Sequence, residues 1–197
     1  MAKRVFLLVV LALVLPATVF AATVKVRVEG KTRNLFAPTP VAVNAASPLD
    51  ALEQASILGE FYYHVTVTGF GPYVDQIGRY PGSGSSGWAF KVDNASPPVG
   101  AGTVVLRNGD SVLWYYATFG PAGGPPTLQL SPASGGCYVA QAFDDNGRPT
   151  AVTNLVVHVG SRRTIAATLD RKVCPGPHRG LLVRATADGA VRSNALT

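Results

Sequence analysis

The chain has 197 residues, and 17 Lys and Arg against 11 Asp and Glu give it a formal net charge of +6. Lys3 and Arg4 would leave with a cleaved leader, which lowers +6 to +4. That is no nucleic-acid binder's stripe, and an exported protein rarely meets DNA.

The leader is read first. Lys3 and Arg4 precede an apolar run from Val5 to Leu15, Pro16 breaks it, and Val19-Phe20-Ala21 offers small residues where a signal peptidase cuts. The run is shorter than the ~20 apolar residues of a spanning helix. Residues 1–21 are therefore expected to be a cleaved signal peptide. With no cysteine to lipidate and no apolar tail or sorting motif at Arg192–Thr197, the mature chain is expected to be secreted, extracellular or periplasmic, without a transmembrane anchor. What remains suits one medium domain or two small ones.

From Thr23 to Glu29, Val24, Val26 and Val28 alternate with Lys25, Arg27 and Glu29, the pattern of a half-buried strand. Leu35 to Val43 should return beside it, with Pro38 and Pro40 suggesting an edge. Ser47 reads as an N-cap with Pro48 at the first helical position. Leu49, Leu52, Ala55, Ile57 and Leu58 mark a helical apolar face, and Gly59 is the expected stop. Phe61–Thr68 and Phe70–Ile77 are β-rich runs around Gly69. A Gly/Ser turn then leads to a strand around Trp88 and Phe90, and Asn108-Gly109-Asp110 turns the chain into a strand with Trp114, Tyr115 and Tyr116. The order β-β-α-β-β-β-β predicts an α+β, β-grasp-like domain over residues 22–119.

The stretch Pro81–Ala117 carries a resemblance as well. A Gly-Trp with an aromatic two residues on, a Val-Gly, and a Gly-Asp turn before a Trp-Tyr strand resemble a secreted bacterial domain of unknown function related to the C-terminal domain of transcobalamin. Asn108-Gly109-Asp110 stands where that pattern has Asp-Gly-Asp. The resemblance spans about Thr23 to Phe119 and implies a small β-grasp-like ligand-binding or surface module.

Residues 120–126 form a Gly/Pro linker. Charge changes across it. Residues 22–121 are balanced, seven basic against seven acidic, whereas residues 122–197 hold eight basic against four acidic. Thr127–Leu130, Gly136–Phe143, Leu155–Val159, Arg163–Leu169, Leu181–Thr186 and Ala190–Ser193 read as short strands, with Asp145-Asn146-Gly147 as a hairpin turn. Residues 127–197 are therefore expected to be a small all-β sandwich. Gly180–Thr186 followed by Gly189–Ser193 resembles the closing hairpin of immunoglobulin-like or prealbumin-like sandwiches. Cys137 and Cys174 are the only cysteines, and in an exported chain they are expected to be bonded, a staple of roughly 3–4 kcal/mol in the chain-entropy model.

The aromatic residues carry the functional argument. Trp114 and Tyr116 share one strand face and Tyr115 takes the other, so one aromatic face meets the helix and the other need not. An open aromatic face offers stacking area to a planar or sugar ligand. Tyr73, Tyr80, Trp88, Trp114 and Tyr115 are the candidate ligand-binding residues, core packing being the plainer reading for Trp88 and Trp114.

Other groups read as structure. Gly82–Gly87 has the backbone N–H groups an anion would want but no following Lys or helix, so a hairpin is the reading. Asp144-Asp145-Asn146-Gly147 lacks the Glu of a calcium loop. His64, His158 and His178 lie far apart, and no nucleophile–base arrangement appears. No metal site and no catalytic residue are assigned, and no enzyme is expected. The reading is a binding module with no resident cofactor. Its ligand is left open between a corrinoid-like molecule, which the resemblance suggests, and an envelope glycan. The basic second domain would hold anionic envelope polymers. The alternative is a structural or adhesive surface protein with no small-molecule ligand.

Overall fold

A computed structural model describes residues 21–69, 71–160, 162–165 and 171–197. The expected leader, except for Ala21, lies outside these residues, as do Phe70, Ser161 and residues 166–170, the last holding the end of the expected Arg163–Leu169 strand.

The alternating run folds as β1 (Ala22–Glu29), which pairs antiparallel with β2 (Asn34–Ala45). Helix α1 (Pro48–Gly59) starts as its residues demand: Ser47 is extended, and its hydroxyl accepts the Asp50 N–H at 3.1 Å. The helix ends at Gly59, the expected stop, but the left-handed cap residue is Glu60 (φ 50°) rather than the glycine. Gly59 serves a different purpose, because a Cβ there would sit 2.6 Å from Phe36 Cδ2.

β3 (Tyr63–Thr68), β4 (Gly71–Ile77) and the short β5 (Tyr80–Pro81) form a three-stranded sheet of their own. β6 (Ser86–Val92) and β7 (Ser111–Thr118) join the first two strands instead, in the order β2-β1-β7-β6, with β7 parallel to β1. This corrects the expected α+β, β-grasp-like class. The protein is mostly β, 51% strand and 7% helix, built as several small sheets. The physical reason lies in α1, which buries only Pro48, Ala51, Leu52 and Ala55. A helix with so small a buried stripe covers part of one sheet and cannot gather every strand beneath it. Ile57 and Leu58, counted into its apolar face, are 61% and 59% exposed.

After Gly120 the strands are β8 (Thr127–Ala133), β9 (Cys137–Phe143), β10 (Pro149–Thr150), β11 (Val156–Val159), β12 (Arg162–Ile165), β13 (Lys172–Val173), β14 (Val183–Thr186) and β15 (Ala195–Leu196). In one sheet β9 pairs with β8, β10 and β13, and the other runs β12-β11-β14-β15. Leu128, Leu130, Tyr138, Ala140, Ala142, Val157, Val159, Val173, Val183 and Ala185 form a buried cluster drawn from both sheets. Ala190–Ser193, expected as a strand, is a connecting segment. Its Val191 N–H donates to Pro126 O, and its Ser193 N–H donates to Ala185 O. Cys137 and Cys174 are disulfide-bonded, which ties the start of β9 to the residue after β13.

Candidate functional site

The site follows from the two faces of the sheet β2-β1-β7-β6. Residues directly opposite across paired strands share a face. Val24, Val26, Val28, Val112 and Trp114 therefore point with Trp88 and Phe90 toward α1 and the main core. Trp114 Nε1–H donates to Pro48 O at 3.0 Å, and its ring lies 5.3 Å from that of Phe90. Trp88 packs edge-on against Tyr116 at 5.5 Å and donates to Tyr80 O at 2.8 Å. Both tryptophans are core residues with satisfied N–H groups.

The opposite face carries Arg27, Glu29, Ala89, Lys91, Leu113, Tyr115 and Ala117. Alternation made this look like the solvent side. The C-terminal half of the chain covers it instead. Leu113, Tyr115 and Ala117 form a buried cluster with Ala89, Phe119 and Val191. Lys91 is fully buried: its Nζ donates to Asp144 O at 2.7 Å, to Phe143 O and Thr127 Oγ1 at 3.3 Å each, and lies 3.4 Å from Asp145 Oδ1. Burial lowers the Lys91 pKa, and the Asp145 charge opposes that shift.

Glu29 is also buried and accepts from Arg27 at 2.9 Å, from Arg192 at 3.1 Å and from Arg184. Asn34 Nδ2 donates to the same carboxylate at 2.9 Å. Arg27 loses so much solvation that its pKa falls to about 10, despite the adjacent Glu29. Arg184 and Arg192, counted in the basic surplus of the second half, thus face inward onto an acid of the first.

Tyr115 is therefore not on an open platform, and that expectation is corrected: the side chain is 1% exposed. It does border a cavity of about 300 Å³ that lies beside β6. Tyr73, Trp88, Trp114 and Tyr115 all line it, with Ala89, Phe90, Ser96, Pro97 and Asp145 among their neighbours. Four of the five candidate aromatics are thus brought together. Tyr80 is not among them. It packs at 6.1 Å against Tyr116 and shares a 3.2 Å hydrogen bond with Thr32 on another part of the surface.

Ser96 and Asp145 bring polar groups to this lining. Tyr115 Oη is buried and has no hydrogen-bond partner among the described residues. Burial pushes its pKa up to about 12, with the Asp145 charge adding to the shift and the Ser96 hydroxyl opposing it. Asp145 is held by the Gly124 N–H at 2.8 Å and faces Ser96 Oγ at 3.4 Å. A wider groove of about 1,020 Å³ adjoins the cavity, sharing Pro72, Tyr73 and Pro97 with it and adding Thr68, Val99 and Thr103. Tyr73 is 46% exposed at this mouth.

Ala89, Ser96 and Asp145 were not legible as site residues. Asp145 read as a turn residue, and only the docking of the second half onto β6 gives them a common place. Among the described residues no three of His, Cys, Asp and Glu are grouped closely enough to hold a metal ion. Asp144 acts as a turn residue, its Oδ1 accepting the Asn146 and Arg148 N–H groups at 2.9 and 2.8 Å. Among the same residues no helix is long and apolar enough to cross a membrane.

Residues 47–118 match the family model of a domain of unknown function (DUF4430). That span includes α1, the cavity wall from β4, β6 and β7, and all five candidate aromatics. No curated protein matches the chain. Among solved structures, a protein of Ruminococcus gnavus with a provisional metal-binding description is similar at 11% identity and a TM-score of 0.38. The likeness covers 49% of this chain and 97% of that one. At that level it bears on neither the fold nor the ligand of the present protein.

Proposed function

We propose that the protein is an exported, non-enzymatic binding module whose site is the aromatic cavity beside β6. The observation that supports this most directly is that Tyr73, Trp88, Trp114 and Tyr115 all line that one cavity, with Ser96 and Asp145 beside them. The lining is otherwise apolar and aromatic, with a few convergent polar groups, as in ordinary small-molecule sites. A volume of about 300 Å³ suits a single ring bearing a hydrogen-bonding group. It is too small to enclose a corrinoid macrocycle, and a glycan could offer it one sugar ring at most. Attraction to anionic envelope polymers belongs to the same proposal, carried by exposed Arg148 and Arg179 rather than by Arg184 or Arg192.

The test uses N-phenylacetamide as a ring-sized probe with one carbonyl acceptor. It should raise the melting temperature of the wild-type protein, because it binds the native state alone. Ala89→Leu should abolish that response by filling the space. A response unchanged by that substitution, or none in the wild type, would overturn the assignment.

A further inference from the structure

We infer that the cleft where Gly30 and Lys31 meet the Gly189–Arg192 segment is a second ligand site, and that it takes a small organic acid, a carboxylate on an apolar body. The cleft holds about 390 Å³ and shares no lining residue with the aromatic cavity, so this inference stands apart from the function proposed above. Its volume lies within the ordinary range of small-molecule sites.

Charge carries the argument. Arg27, Arg184 and Arg192 all pair with Glu29, three positive charges on one negative. Among the described residues no second acid pairs with any of the three. The join between the halves therefore holds a surplus of two positive charges in a place poor in water. Burial lowers the pKa of both Arg27 and Arg184, Glu29 opposes the fall, and the Arg192 charge adds to it. Buried charge without full compensation is costly, and an anion that reaches it relieves that cost. Arg192 is where the surplus meets solvent. Its Nε donates to Glu29 Oε2 at 3.1 Å and its Nη2 to Gly30 O at 2.7 Å. Nη1 has no hydrogen-bond partner among the described residues, yet it is not among the sealed, unpartnered atoms, and the side chain is 23% exposed. That nitrogen is open to an incoming group.

The lining names the class of ligand. Lys31, exposed, lines the cleft with Arg192, and no acid does. A cleft lined by charge of one sign concentrates ions of the other. Two cationic side chains match the two oxygens of a carboxylate, and hydrogen bonds between charged partners are the strong ones. The rest of the lining is apolar where it is free. Tyr116, Pro125, Ala190 and Val191 supply ring and aliphatic surface. Tyr116 Oη already donates to Pro81 O at 3.3 Å, and Thr118 Oγ1 shares a 2.6 Å hydrogen bond with Ser86. With those hydroxyls engaged, the body of the ligand meets surface that suits hydrocarbon better than a sugar. A second hollow, of about 400 Å³, reaches the same cluster through Arg27 and Lys25, but Asp93 lines it too and offsets their attraction for an anion.

The probe is phenylacetate, with phenylacetamide as its uncharged counterpart and inorganic phosphate as an anion without an apolar body. Each is titrated into the full chain at low salt, and binding is read from the amide chemical shifts of Lys31, Gly189 and Val191. Phenylacetate should move these amides and bind about tenfold or more tighter than phenylacetamide, and its affinity should fall as salt is added. Lys31→Glu should weaken phenylacetate by about tenfold or more, and Lys31→Gln should weaken it less. Lys25→Glu makes the same charge change on an exposed residue outside the cleft and should leave binding within about twofold. Ala89→Leu, which fills the aromatic cavity, should leave it unchanged. Equal binding of acid and amide, tighter binding of phosphate than of phenylacetate, or equal effects of Lys31→Glu and Lys25→Glu would overturn the inference. Loss of phenylacetate binding in Ala89→Leu would overturn it as well, since the acid would then be occupying the aromatic cavity. Failure of N-phenylacetamide to bind would remove the aromatic site and leave this cleft standing.

Discussion

Tyr115 joins the core to the cavity, and two measurements separate those roles. Its ring is packed with Leu113 and Ala117, while its hydroxyl lacks a partner. Tyr115→Phe keeps the ring and removes the unsatisfied group. Its stability should equal or exceed that of the wild type, by up to about 1–3 kcal/mol in denaturant titration. Trp114→Ala, which empties a core position whose N–H is satisfied, should instead cost about 3–5 kcal/mol. A Tyr115→Phe variant as unstable as Trp114→Ala would mean that the hydroxyl is bonded. The same hydroxyl predicts an alkaline signature. Its folded pKa of about 12 exceeds the ordinary 10, so the folded state holds this proton more tightly. The contribution is complete below pH 10 and is lost as pH rises toward 12, on the order of 2 kcal/mol. Tyr63, bonded to Glu53 and also raised to about 12, adds to the decline. Unfolding curves of Tyr115→Phe should therefore fall less steeply than wild type from pH 10 to 12, without becoming flat.

At the scale of elements, α1 shows how far local signals reach. The Ser47 cap and Pro48 start are found as their chemistry requires. The buried face was misjudged because Ile57 and Leu58 sit in the last turn, where there is no sheet beneath them and both remain exposed. Ser47→Ala should cost about 1 kcal/mol. The double substitution Ile57→Gln, Leu58→Gln should change stability by no more than about 0.5 kcal/mol. A large loss from the double change would show that the C-terminal turn packs against something. β1 teaches the converse. Its alternation correctly predicted a strand with one valine face, yet Arg27 and Glu29 on its polar face are buried as well. Periodicity reports which residues share a face, and a charged face reads as solvated until another body covers it.

At the scale of the molecule, the cover is the C-terminal half, held by charge as well as by apolar contact. Glu29 answers Arg27 of its own strand and Arg184 and Arg192 from the far half. Removing one partner from a buried ionic cluster strands the others without compensation. Glu29→Ala should cost about 3–5 kcal/mol, whereas Asp188→Ala, an exposed acid bonded to Asn154, should cost no more than about 0.5 kcal/mol. Equal losses would deny the cluster its role in joining the halves. A fragment ending near Phe119 would expose Leu113, Tyr115 and Ala117 together with unpaired Lys91, and would leave Glu29 with Arg27 and Asn34 alone. It is expected to show lower thermal stability than the full chain and to lose the N-phenylacetamide response, since Asp145 leaves with the second half.

What the residues determined without the fold is local. Valine alternation specified β1, the Ser-Pro cap specified α1, and the two cysteines specified their bond, because each depends on near neighbours or on there being one pairing to make. The aromatic set was legible too, in that Tyr73, Trp88, Trp114 and Tyr115 do meet around one cavity. Which sheet each strand joins was decided by tertiary packing, because antiparallel strands carry no label for their partner beyond a face and a register. The burial of Tyr115 and the inward turn of Lys91, Arg184 and Arg192 were decided the same way. Each depends on where the C-terminal half docks, and residues from about 30 to more than 160 positions apart in the chain must meet before their charges and hydrogen-bonding groups acquire partners or are left without them.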